Sequence, residues 1–126
     1  MNDLFYFYEE IISLKNLHDF LAASIPNSRF LNKEQDAMQI EISGGTARWD
    51  LFQMDILRDF EDPESVEAIL KTNAKSAFCI CYHSYTLDEL KNVLKLMLER
   101  YGGWVGNDSN EFFPRFTLNN ILSLSY

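Results

Sequence analysis

Two cysteines, two histidines and a dense run of carboxylates are the side chains of this 126-residue chain whose types and spacing could do chemistry. Cys79 and Cys81 are separated by one residue in Ala77-Phe-Cys-Ile-Cys-Tyr82. Residues two apart on a strand point to one face, which gives a poor disulfide geometry. Zinc sites usually leave two or more residues between cysteines and need further ligands, so the pair reads as reduced, buried small hydrophobes. Neither a metal nor a cofactor is expected. His18 and His83 are the side chains that titrate near neutral pH without perturbation, and neither has a convincing partner in the sequence. Ser84 beside His83 does not make a nucleophile and base, because sequence neighbours on a strand point apart and no glycine-flanked elbow surrounds the serine. Gly102-Gly-Trp-Val-Gly106 follows a helical segment and precedes Asp108 and Glu111, the reverse of what a phosphate loop requires. The carboxylates fall at helix and turn positions typical of a solvated surface. No catalytic constellation emerges, and a non-enzymatic protein is expected.

The segment from Asp55 to Glu67 is the most informative. It holds Asp55, Asp59, Glu61, Asp62, Glu64 and Glu67 against Arg58 alone; six negative charges less one positive leave −5, more than half of the formal net charge of −8. A local field of that sign steers a basic partner and raises its association rate. Phe60 and Ile56, interleaved with the acids, offer an apolar anchor. The expected partner-binding set is therefore Asp55, Asp59, Phe60, Glu61, Asp62, Glu64 and Glu67. The plainer reading is that Asp62, Glu64 and Glu67 complement a helix dipole and keep the protein in solution. The overall charge opposes direct binding to nucleic acid or to an anionic membrane surface. A second arrangement places a small-molecule pocket at the end of a central strand, formed by Tyr82, His83, Tyr85 and Trp104, where clefts in α/β sheets often open.

These residues must be held by a scaffold, and the chain has the means to build one. At 47% hydrophobic and 14% aromatic residues it carries ample apolar surface for one domain spanning residues 1–126. Leu4-Phe-Tyr-Phe-Tyr8 is strand-like, while Glu9-Glu-Ile-Ile12 could continue it as helix. Leu14, Leu17, Phe20, Leu21 and Ile25 follow helical spacing from a Ser13 cap to Pro26. After a polar connection over 32–36, Met38, Ile40 and Ile42 alternate with polar residues and lead through Gly44-Gly45 into a second strand, a hairpin over 38–51. The run 52–57 loses alternation and is left open. Asp62-Pro63 starts a short helix ending near Thr72-Asn73.

Ser76 to His83 reads as a central strand covered on both faces. Thr86-Leu-Asp-Glu89 reads as a capping box before a helix over 87–101 stopped by Gly102. Pro114 confines Phe112 to Phe116 to a sheet edge or a loop, and that edge makes a homo-oligomer a further possibility. The expected fold class is α+β, a mostly antiparallel sheet packed against two main amphipathic helices. The N-terminus lacks a basic region followed by an apolar run and no stretch suits a membrane span, so a cytoplasmic location is expected.

Glu99-Arg-Tyr-Gly-Gly-Trp-Val-Gly-Asn-Asp-Ser109 and Phe112-Phe-Pro-Arg-Phe-Thr-Leu-Asn-Asn-Ile121 carry a family resemblance. This texture of strand, amphipathic helix, tyrosine-glycine-glycine-tryptophan turn and aspartate-containing loop, mainly over residues 76–122, resembles the small acidic immunity proteins of bacterial polymorphic toxin and contact-dependent inhibition systems. The resemblance implies a non-enzymatic protein that binds a cognate toxin domain, often a basic nuclease, and occludes its active site. It brings no catalytic residue with it.

Overall fold

The computed structural model describes residues 2–34, 36–42, 45 and 47–124, with 32–34 as backbone alone. The aromatic opening is a strand, β1 (Asn2–Tyr8), with Leu4, Tyr6 and Tyr8 on one face and Phe5 and Phe7 on the other, all buried. A strand covered on both faces is apolar at nearly every position, which is why its periodicity left the choice open. Six more strands, β2 (Ser28–Glu34), β3 (Ala37–Ile42), β4 (Ala47–Met54), β5 (Ser76–Tyr82), β6 (Trp104–Asn107) and β7 (Arg115–Phe116), complete one seven-stranded sheet. The strand order is β2-β3-β4-β5-β1-β6-β7 and every pairing is antiparallel. With helices α1 (Leu14–Ser24), α2 (Pro63–Lys71) and α3 (Leu87–Tyr101), the fold is α+β.

The first face of the sheet carries the main core. Leu17 and Leu21 of α1 and Leu90, Leu94 and Met97 of α3 pack there with Tyr6, Ile40, Trp49 and Phe78. A smaller core lies on the second face, where Ile69 of α2 and Phe112 of a 3-10 turn over Asn110–Phe112 meet Phe5, Phe7, Ala77 and Trp104. This second cover lies over β1, β5 and β6. Towards β3 and β4 the second face instead carries Gln39, Glu41, Arg48 and Asp50, the polar alternates of the hairpin, together with the exposed Phe52.

Most boundaries follow local chemistry. Ser13 Oγ accepts from the Asn16 N–H at 3.1 Å and the Ser13 N–H donates to Asn16 Oδ1, a reciprocal cap on α1. Asp62 Oδ1 accepts from the Glu64 N–H at 3.1 Å with Pro63 at the first helical position of α2. Gly102 ends α3 at φ +77, and its N–H donates to Leu98 O. The hairpin forms, with Ile42 opposite Ala47. Of its turn only Gly45 is described, at φ +96, while Ser43, Gly44 and Thr46 lie outside the described residues.

Three expectations need correction. Thr86 makes no side-chain cap on α3; its hydroxyl is turned inward, donating to His83 O at 2.7 Å and accepting from the Trp49 indole at 3.0 Å. Ser28–Glu34 is an edge strand whose second half was read as a connection, because polar Asn32, Lys33 and Glu34 hide its strand character. β5 is fully covered on both faces only at its start: Ala77 is buried, whereas Cys79, packed at the margin of the second core, and Cys81 are half-buried.

Candidate functional site

β4 ends at Met54, and the residues after it form a turn tied by their own carboxylates. Asp55 Oδ1 accepts from the Leu57 N–H at 3.0 Å and the Arg58 N–H at 3.2 Å, while Asp59 Oδ2 accepts from the Asp55 N–H at 2.6 Å. An aspartate that satisfies backbone N–H groups two and three residues on stabilises a tight turn. The turn sends Ile56 inward to the second core and leaves Leu57 at 74% exposure.

Leu57 is not alone. Ile11, 82% exposed on the connection between β1 and α1, and Leu70, on the outer side of α2, line the same depression of about 540 Å³. Asp36, Asp55 and Asp59 stand on its rim. The result is a set of exposed aliphatic side chains beside carboxylates, assembled from four separate parts of the chain. Arg58 and Lys75 also line it, so its charge is more mixed than the linear window suggested. Adding Asp36, Lys71 and Lys75 to the 55–67 residues gives seven negative charges against three positive, a net of −4.

The predicted partner-binding residues divide into groups. Asp55 and Asp59 border the depression. Glu61, Asp62, Glu64 and Glu67 are exposed but do not line it, with Asp62 engaged as the α2 cap and Glu67 paired to Lys71 at 3.3 Å. Phe60 is not the protruding anchor that the sequence offered. Its ring packs in the second core against Phe5, Phe7 and Phe112, with centroids 5.7, 6.0 and 5.7 Å away. Ile11 was missed because it belongs to a distant segment. Its one signal was the pair Ile11-Ile12 after two glutamates, of which a single helix or strand face can bury only one.

The pocket of Tyr82, His83, Tyr85 and Trp104 is not formed. Tyr82 pairs with Asn2 and faces the main core, whereas Trp104 pairs with Phe7 and packs in the second core. Five residues of β1 separate those register positions, roughly 17 Å along the strand. His83 and Tyr85 are exposed and stack on each other at 5.5 Å. Among the remaining candidates, His18 meets its neighbour Asp19 at 3.0 Å on the outer side of α1. That contact and the Lys15 ammonium hold the Asp19 carboxyl below its ordinary range.

The glycine-rich motif also has a packing role. A Cβ on Gly103, at φ +84, would run into the Phe7 carbonyl, and one on Gly106 would stand 2.5 Å from the Phe112 Cβ. Both glycines let β6 close over the second core, and Arg115 lies over the Trp104 ring at 4.6 Å. No family model matches the chain, nor does any curated protein or solved structure. Among the described residues, no helix is long and apolar enough to cross a membrane.

Proposed function

We propose that this chain is a non-enzymatic binding protein of the immunity type, which neutralises a basic toxin domain by seating it on the acidic depression. The observation that carries this reading is the convergence of Ile11, Leu57 and Leu70, three exposed aliphatic side chains, inside a rim of aspartates. Exposed aliphatics that cluster and are ringed by charge are the surface form of a partner site. Three acids, Asp36, Asp55 and Asp59, line the depression against two bases, Arg58 and Lys75, and the exposed acids that follow in the sequence from Glu61 to Glu67 add to the negative sign that favours a basic partner. A basic side chain held there has left the phosphates with which a nuclease would otherwise pair it. On this reading the protein acts in the cytoplasm, without cofactor, and on a protein partner instead of nucleic acid or membrane.

The test is affinity capture from source cells at low and moderate salt with three forms of the chain. One is the natural protein, the second carries Leu57→Arg, and the third carries Asp88→Lys with Glu99→Lys on α3, away from the depression. A single stoichiometric basic protein should be retained by the first and third forms and lost by the second. Equal retention by all three, or loss with the α3 changes alone, contradicts the site.

A further inference from the structure

The second face of the sheet holds a group of residues unrelated to the depression. Asp3 of β1 stands directly opposite Cys81 of β5, and Cys79 follows two positions along on the same face. One oxygen of Asp3 and the two sulfurs all lie within 4.8 Å of one another. β5 is the middle strand of the sheet and β1 its neighbour, so Cys79 and Cys81 have register partners on both sides, while Asp3 is paired to β5 just before the β1–β6 ladder begins. Sites mounted on such rigid strands keep their geometry better than sites on loops.

We propose that Asp3, Cys79 and Cys81 form a binding site for a thiophilic divalent cation of the Zn²⁺ class. Two sulfurs and a carboxylate oxygen are a borderline-soft donor set, which suits zinc and disfavours magnesium or calcium. Tetrahedral bonds of about 2.3 Å to sulfur and 2.0 Å to oxygen place donor atoms roughly 3.5 to 3.8 Å apart. The three atoms need only small side-chain rotations to reach that spacing. Cys79 and Cys81 are only half-buried, so solvent reaches the site and can supply a water as the fourth ligand. Asp108 follows Asn107, the register partner of Leu4, on the neighbouring strand end.

Binding replaces two S–H bonds by two metal–thiolate bonds and releases two protons to solvent. Free thiols carry their protons at neutral pH, so metal binding competes with protonation and apparent affinity rises with pH. A cation held by surface carboxylates alone shows no such dependence, because carboxylates are already ionised at neutral pH.

Co²⁺, a spectroscopic substitute for Zn²⁺, provides the test on the reduced full chain. The expected result is one ion per chain with a thiolate-to-cobalt charge-transfer band, displaced by Zn²⁺ and not by Mg²⁺. Cys79→Ser and Cys81→Ser, each checked for an unchanged far-ultraviolet circular dichroism spectrum, should remove the band. Asp3→Asn should keep the band and weaken binding by about tenfold or more. Absence of the band in the natural protein, or its survival in either serine variant, would overturn the site. The site does not depend on the partner-binding reading, and either can fail without the other.

Discussion

The Trp49 indole N–H donates to Thr86 Oγ1 at 3.0 Å, linking β4 to the start of α3 inside the main core. The same hydroxyl donates onward to His83 O at 2.7 Å. Thr86 thus gives the buried Trp49 indole its acceptor, while His83 O also accepts from the Thr86 backbone N–H at 2.9 Å. Replacing it with valine keeps the volume and removes both bonds of the hydroxyl. Thr86→Val should destabilise the protein by about 1–3 kcal/mol, while Thr86→Ser should recover most of that loss. Urea unfolding followed by tryptophan fluorescence gives both values, and an unperturbed valine variant would contradict the role.

Gly106 is a packing requirement. Its missing side chain makes room for Phe112 and Trp104, whose atoms a Cβ would meet at 2.5 and 2.9 Å. Gly106→Ala should cost about 1–3 kcal/mol by overpacking. Gly103→Ala should cost more, since a left-handed φ adds to a backbone clash. Thermal unfolding orders the two variants, and the reverse order would sink the account of the motif.

Leu57 separates binding from folding. At 74% exposure it contributes little to the core, so Leu57→Ser should change stability by no more than about 0.5 kcal/mol. If a partner covers it, the same change should weaken association by about 1.5–3 kcal/mol, tenfold or more. Denaturant unfolding and surface plasmon resonance on one preparation separate the two effects. A variant that loses stability and binds normally would place Leu57 in the fold instead of the interface.

The thiols set a high-pH limit on stability. The folded state raises Cys79 from 9.0 to about 11, chiefly through burial, with Asp3 and Asp108 adding and Cys81 opposing. A raised thiol pKa means that the folded protein keeps a proton which the unfolded chain releases earlier. The contribution is complete below pH 9 and is lost as pH rises from about 9 to 11. Metal-free natural protein should lose stability over that window more steeply than Cys79→Ala. Parallel slopes in urea unfolding at successive pH values would contradict the thiol shift.

How much of this was legible in the sequence depended on whether a signal was local. Ser13, Asp62-Pro63 and Gly102 announce helix ends because their work is done within a few residues. Thr86 has the capping-box spacing too, but tertiary contact with Trp49 redirects its side chain. The acidic turn was legible as charge, since Asp55 to Glu67 is one contiguous segment. The exposed aliphatic set beside it was not, because Ile11 and Leu70 reach Leu57 only after the sheet and α2 are in place. Phe60 was misread because nothing local tells an anchor from a core ring. Asp3 became a neighbour of Cys81 only through the β1–β5 register, and two cysteines without that third donor offered no site.

The most direct measurement is to titrate the captured partner's toxic activity with the purified chain. The account predicts that activity falls to zero at one chain per partner, and that Leu57→Arg shifts the titration to much higher concentration while leaving the fold intact. Full activity in the presence of stoichiometric natural protein, or equal inhibition by the Leu57→Arg form, would contradict it.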